Sequence, residues 1–359
     1  MKIAVLYGPR DLRIEDWPLI KTSTDSNFFL RDHTDDSAID VDNLQPHDIW
    51  VKTEITGFKI GTDRGNYEGA EQVPGAPDRD RPRCVGDSNL GIIQGVGNAV
   101  TNFKVGDRIV TRASHQSEYV NSIFDDMPVK VPDGVDSEGA VWAHLYTLSG
   151  HCYHKAFFRP GEYVAVVGLG VLGLGAVALG PLFGARVVGV GNSPVRLDMA
   201  KRMGAHAAYM GNDTDFESKV DEFTGGKGID LVILTANPWP AFRTSLEIVR
   251  QNGRVSVVSL LGRGEPSLDF NPLPMELFYN KGISIIAVSG NTGGLYPGAE
   301  DTFAWSRMCE HTLSLMADGL LEPKRLITHR LHYTEMAKAY EMAYSREKSM
   351  LGVTFNWKD

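Results

Sequence analysis

Apolar and polar side chains alternate from Ile49 to Ile55 (Ile49-Trp50-Val51-Lys52-Thr53-Glu54-Ile55), the period of a strand with one face in a core. Leu90 to Val96 repeats the pattern, and Gly106 to Val110 and Glu118 to Val120 are shorter pieces of the same kind. Short strands punctuated by Gly, Pro and Asp predict a barrel-like all-β domain. The character changes at Arg159-Pro160-Gly161. Beyond it, strand-like runs at Tyr163 to Val167, Arg186 to Val190, Ala207 to Met210, Ile229 to Leu234, Arg254 to Ser259 and Ile283 to Val288 alternate with helical stretches, one of them near Pro194 to Met203. Such alternation predicts a doubly wound parallel sheet. After about Gly294 the pattern is amphipathic helix (Phe303 to Ala317, Tyr333 to Tyr344), and the chain closes on a strand, Gly352 to Trp357. The expected α/β protein therefore has one domain from residues 1–158 and 295–359, and a second from 159–294, with the active site in the cleft between them.

Composition narrows the function. A chain of 359 residues exceeds what one core usually supports, which agrees with two domains. The net charge is -9 with no Lys/Arg cluster, so the basic footprint of a nucleic-acid partner is missing. Acidic residues gather at Asp32-His33-Thr34-Asp35-Asp36 and Asp40 to Asp42, within a polar stretch from Lys21 to His47 that reads as an inserted surface loop. A loop of this length also serves elsewhere as a lid or interface. Three scattered cysteines (Cys84, Cys152, Cys309) exclude a disulfide framework and a CxxC metal knuckle, and the N-terminus lacks a signal peptide's apolar run, so the expected location is cytoplasmic. Tyr163 to Ala185 is uncharged and long enough on paper to cross a bilayer. Its glycines and Pro181 fit a buried strand, a turn and a buried helix better, and no membrane partner is expected.

The strongest chemical signal is Val164-Ala165-Val166-Val167-Gly168-Leu169-Gly170-Val171-Leu172-Gly173, a GxGxxG that follows a strand and opens a helix. Gly168 permits the tight turn, Gly170 lets backbone approach a pyrophosphate, and Gly173 lets helix and strand pack closely. The helix start, with Val171 and Leu172, offers amides and a positive dipole end to phosphates. The same dinucleotide site takes in residues at the ends of later strands: Thr235, Ala236, Ser259, Leu260, Val288 and Ser289. An acid about 20 residues past the fingerprint would hold the ribose 2′-OH of NAD. That place is Gly191, followed by Asn192, Ser193 and Arg196. Small polar groups and a guanidinium favour NADP(H) over NAD(H), although a Ser/Asn site can also hold NAD.

Gly61-Thr62-Asp63, Val105-Gly106-Asp107-Arg108, the fingerprint, and Ser193-Pro194-Val195-Arg196-Leu197 leading into Ala200-Lys201-Arg202-Met203-Gly204-Ala205 together resemble the medium-chain dehydrogenase/reductase superfamily, over essentially the whole chain. The resemblance implies a GroES-like catalytic domain built from both chain ends, a Rossmann domain between them, a small-molecule substrate and a homo-oligomer, dimer or tetramer. Zinc members of the family carry a Cys directly before Gly-Thr-Asp, a Gly-His-Glu motif, and a Glu or Cys shortly before the Rossmann domain. Here those places read Ile60, Gly86-Asp87-Ser88 and His144. Catalytic zinc takes three protein ligands, and Asp87 with His144 supplies two at most, so no zinc is expected. Gly61 to Gly69, Gly86 to Gly91 and Ser114 to Val120 are similar to a zinc-free branch that includes bacteriochlorophyllide dehydrogenase-like proteins.

Without the metal, a side chain must handle the proton and the charge on the substrate oxygen. The resemblance places Thr62 at the hydroxyl that begins a proton relay, and Asp87 with His144 at former ligand positions, where an Asp-His pair would make a general base. Lys59, Ser88, His115 and Tyr146 are further candidates to bind substrate. Each has a structural alternative: Thr62 as a strand-end hydroxyl, Asp87 as a turn cap, His144 as a buried core histidine, His115 and Tyr146 as packing residues. His151 and His154 are read as helix and surface, and Asp63 as a barrel tie. The expected reaction is NAD(P)-dependent interconversion of a secondary alcohol and a ketone, a sugar or polyol derivative leading. Reduction of an activated C=C bond, a redox-neutral epimerase or lyase, and a non-catalytic dinucleotide-binding protein remain as alternatives.

Overall fold

A computed structural model describes residues 1–21, 38–69, 82–268, 271–289 and 305–358. Most of the acid-rich stretch and the expected boundary at 294/295 lie outside the described residues. In chain order the first elements are β1 (Lys2–Leu6), β2 (Leu12–Asp16), β3 (Asp48–Phe58), α1 (Ile60–Glu68), β4 (Arg83–Cys84), β5 (Asn89–Val96), β6 (Arg108–Thr111), β7 (Glu118–Ser122), β8 (Val129–Lys130), α2 (Ser137–Ala140) and α3 (Ala143–Lys155). Next come β9 (Tyr163–Val167), α4 (Val171–Leu182), β10 (Arg186–Gly191), α5 (Pro194–Arg202), β11 (Ala207–Met210), α6 (Phe216–Thr224), β12 (Ile229–Leu234), α7 (Trp239–Ile248), β13 (Val249–Val257) and β14 (Ser284–Ala287). The tail adds α8 (Trp305–Ala317), β15 (Ile327–His332), α9 (Met336–Tyr344) and β16 (Gly352–Asn356). The chain divides into Met1–His144 with Asn291–Asp359, and Leu145–Gly290. The first division falls inside α3, upstream of the Pro-Gly turn, because the helix carries the chain through without a break.

In the first unit, one sheet runs β15-β16-β3-β5-β6-β8 with β7 also on β3, and β1 lies between β2 and β4 in a second. β3 earns its central place by alternation: Ile49, Val51, Thr53 and Ile55 turn inward. Ala4 and Leu6 of β1 share a core with Met336, Ala339 and Tyr340 of α9 and Val353 and Phe355 of β16. Both ends of the chain thus close one hydrophobic interior, the GroES-like arrangement.

The second unit is a parallel sheet ordered β11-β10-β9-β12-β13-β14, the Rossmann order. Its central strands are nearly continuous apolar runs (Val164 to Val167, Leu231 to Leu234) because helices cover both faces. Tyr163 to Ala185 resolves into β9, a turn and α4. Among the described residues no helix is long and apolar enough to cross a membrane.

Candidate functional site

In the second unit the fingerprint forms the turn between β9 and α4. Gly168 sits at φ +102°, a left-handed conformation, and a Cβ there would meet Thr235 Oγ1 at 2.7 Å and Ala236 N at 2.8 Å. A Cβ on Gly173 would lie 1.9 Å from the Gly168 carbonyl oxygen, so only glycine lets α4 start so close to its strand. Thr235 locks the turn from β12 by donating its hydroxyl to the Gly168 carbonyl at 2.7 Å. A Cβ added at Gly170 would point into open space, meeting only Arg196 Nη1 at 3.9 Å. Val171 and Leu172 begin α4 with Gly170 as its cap, and no side chain occupies that cap.

β10 ends at Gly191 with no acid, and exposed Asn192 and buried Ser193 lead into α5. Ser193 Oγ is buried without a hydrogen-bond partner, as is Ser259 Oγ past the end of β13. Arg196 reaches back to donate to the Leu169 carbonyl at 2.9 Å, which holds its guanidinium against the fingerprint. Leu260 and Ser289 are exposed, and Val288 is buried with its amide bonded to the Val257 carbonyl at 2.8 Å. Glycines without Cβ around Gly170, an uncapped helix start and orphaned hydroxyls are the features a bound dinucleotide would use, so the residues present fit this cofactor. Tyr146 also belongs to this unit: its ring packs against Gly175 of α4 and its hydroxyl is buried without a partner.

In the first unit, β3 delivers Lys59 to the start of α1 as its N-cap. Lys59 Nζ lies 2.6 Å from Asp87 Oδ1, the side chains only 14% and 17% exposed. Arg112 Nη2, just past β6, is 3.8 Å from the other oxygen of the same carboxylate. Burial alone would raise the Asp87 carboxyl; the neighbouring Lys59 ammonium and Arg112 guanidinium outweigh it and hold the group below the usual carboxylate range. Asp63, expected as a barrel tie, accepts the Lys59 amide at 2.9 Å. Burial, with the Asp87 charge adding to it, pushes the Asp63 carboxyl up to about 7. Thr62 is exposed in the first turn of α1, not at a strand end.

The proposed Asp-His base pair requires correction. His144 Nδ1 accepts from Trp305 Nε1 of α8 at 3.0 Å, and Nε2 faces the Val110 carbonyl of β6 at 3.4 Å. Asp87 is meanwhile engaged by Lys59 and Arg112. Burial, with Arg112 nearby, lowers the His144 imidazole to about 3. A ring with both nitrogens committed and so little affinity for protons is a poor base at neutral pH.

His115 is also buried, its Nδ1 2.8 Å from Thr56 Oγ1, which Trp357 Nε1 bonds at 2.9 Å. A Cβ on Gly86 would lie 2.6 Å from the His115 ring, so glycine there admits the imidazole beside Asp87. Burial lowers His115 to about 3 as well. Its Nε2 and the Ser88 hydroxyl are buried without partners. His151, read as a surface residue, is buried in α3. Sequence reasoning passed over Arg112, Thr56 and Trp305, whose partners lie far along the chain.

The fit of a metal ion can be judged from the donors. Ile60 contributes none, Asp87 is in an ion pair, and both His144 nitrogens are engaged. Among the described residues no three His, Cys, Asp or Glu side chains converge as a metal site. The residues present do not fit a catalytic zinc.

Comparison with known proteins points in one direction. Residues 171–305 match the family model described as zinc-binding dehydrogenase. Sorbitol dehydrogenase of Halalkalibacterium halodurans is 26% identical over 333 residues, covering 84% of this chain and 90% of that protein. The NADP-dependent isopropanol dehydrogenase of Thermoanaerobacter brockii is 28% identical over 303 residues, covering 74% and 82%. The alcohol dehydrogenase TADH from Thermus sp. ATN1 superposes with a TM-score of 0.75 at 20% identity, over 99% of each chain. The chain is an oxidoreductase with the medium-chain dehydrogenase/reductase fold, similar in sequence and structure to the zinc-type alcohol dehydrogenases of that superfamily.

Proposed function

We propose that this chain is an NAD(P)-dependent dehydrogenase that interconverts a secondary alcohol, a polyol or sugar derivative, with its ketone, and that it does so without zinc. The observation that carries the proposal is the Lys59–Asp87 ion pair beside Ile60: an ammonium stands against the carboxylate where zinc-type relatives place ligands. A divalent cation there would displace that partner and lack a third donor. The sorbitol dehydrogenase likeness supports a hydroxylated substrate.

In the second unit, Gly168, Gly170 and Gly173 with the amides of Val171 and Leu172 would hold the pyrophosphate, and Thr235, Ala236, Ser259, Leu260, Val288 and Ser289 would line the rest. NADP(H) is favoured, because Gly191 repels no phosphate and the orphaned Ser193 hydroxyl, Asn192 and Arg196 could receive one. The isopropanol dehydrogenase likeness is consistent with this choice. When bound, the nicotinamide supplies or accepts the hydride. Thr62, Ser88 and His115 offer hydroxyl and imidazole groups to the substrate, while His144 holds α8 to β6. Tyr146 acts as a packing residue against α4. Exposed Met275 and Tyr279 leading to β14 support a homo-oligomer.

The test is metal content by mass spectrometry with turnover of polyols and ketones before and after EDTA. Less than one metal per ten chains and unchanged rates are expected (about tenfold below stoichiometry). Stoichiometric zinc whose removal abolishes turnover would refute the metal-free reading, and binding of neither NADPH nor NADH would refute the dehydrogenase itself.

A further inference from the structure

Lys59 is an expensive residue where it stands. It occupies the N-cap position of α1 without capping it, where the helix dipole disfavours a cation, and its side chain is mostly buried. A buried ion pair of this sort contributes little net stability, because desolvating both charges offsets their attraction. An ammonium also has three N–H donors, and Asp87 takes one. Next to it stands Ile60, whose side chain offers neither charge nor hydrogen bond to a substrate oxygen.

Resting on the dehydrogenase reading above, we propose that Lys59 is the catalytic residue that polarises and protonates the substrate oxygen, taking the Lewis-acid part a zinc ion plays elsewhere, with Asp87 as its positioning residue. In the reducing direction the carbonyl carbon gains a hydride and the C=O π pair moves onto oxygen. That oxygen takes a proton from Lys59 Nζ, and the resulting amine recovers one from water. In the oxidising direction the same proton returns. Asp87, held also by Arg112, aims the ammonium without leaving the carboxylate oxygens free to bind metal.

The experiment uses the full chain as wild type, Lys59→Gln and Lys59→Arg. Lys59→Gln should still bind NADPH, melting below wild type because Asp87 loses its nearer cation, while kcat for ketone reduction measured below that melting point falls roughly 100- to 1,000-fold. Ethylammonium should restore part of that rate, and Lys59→Arg should be intermediate. In protein labelled with 15N-lysine, the Nζ resonance missing from Lys59→Arg should move when trifluoroethanol, an acidic alcohol, is added with NADP+. A Lys59→Gln kcat within about threefold of wild type overturns the assignment, since a lost oxyanion donor costs far more. A loss that no amine relieves, with the Nζ resonance unmoved by trifluoroethanol, overturns it too. Where Lys59→Gln fails to fold, the wild-type resonance decides. Wild-type protein that binds neither NADPH nor NADH overturns the dehydrogenase reading and this assignment with it.

Discussion

Replacing Gly173 by alanine sets a backbone clash against a cofactor site. The new Cβ would lie 1.9 Å from the Gly168 carbonyl oxygen and 2.9 Å from Thr235 Oγ1. Non-bonded carbon and oxygen rest about 3.3 Å apart, so α4 must retreat from β9 by roughly 1.4 Å. The opposing atom is backbone, which puts the strain at the upper end of the 1–3 kcal/mol range, about 3 kcal/mol. Alanine returns about 1 kcal/mol of helix propensity, leaving a net cost of about 2 kcal/mol. For a unit of this size that lowers Tm by about 4–8 °C. The retreat also draws the Val171 and Leu172 amides from the phosphates, and a loss of about 1.4 kcal/mol raises the NADPH Kd about tenfold. Gly170→Ala is the control, because its Cβ would meet only Arg196 Nη1 at 3.9 Å and its φ is -81°. Its stability should change by less than about 0.5 kcal/mol, while its methyl group obstructs the phosphates and weakens NADPH binding. Calorimetry and NADPH fluorescence titration measure both quantities. A Gly173→Ala protein that melts and binds like wild type would refute the reasoning, as would a Gly170→Ala protein that loses stability but not affinity.

Three further outcomes follow from the same geometry. Lys281 Nζ donates to the carbonyls of Leu246, Glu247 and Val249, each at 2.7 Å, and Lys281→Met should cost about 2–3 kcal/mol, read from the denaturant midpoint. Burial, with Asp125 adding to it, pushes Asp126 up to about 8 against the opposing hydrogen bond from Asn121. The folded state then holds a proton the unfolded chain releases, so this contribution is full below the ordinary value of 3.8 and is lost as pH rises through 8. Melting temperatures of wild type and Asp126→Asn should diverge across that window, the variant losing less. Trp305→Phe removes the donor to His144 Nδ1 and should cost about 1–3 kcal/mol by the same midpoint measurement.

The Rossmann unit was legible because its signals are local. Val164 to Val167 and Leu231 to Leu234 are buried on both faces, and the glycine turn lies between adjacent elements. The hairpin of Lys2–Leu6 and Leu12–Asp16 was not read, because its second strand is largely polar and half-exposed. The start of α1 was seen only as a motif, Gly61-Thr62-Asp63, with no apolar periodicity to declare a helix. At the site, sequence located Lys59, Asp87, Ser88, His115 and His144 but not their partners. Which residue faces Asp87 depends on how β3 and the Gly86 turn meet, and His144 Nδ1 is taken by Trp305, far along the chain. Position in a motif does not set orientation.

The strand β16 lies between β15 and β3, and its Val353 and Phe355 sit in the interior that Ala4 and Leu6 also occupy. On the ribosome, the first half of the catalytic unit therefore emerges with an open sheet edge and an unfilled core. The contiguous nucleotide-binding unit can close on itself while that half waits for Gly352–Asn356 to emerge. A nonsense change just upstream of Gly352 would strand finished nucleotide-binding sheet beside an unclosed barrel edge, a species prone to pair with its own kind.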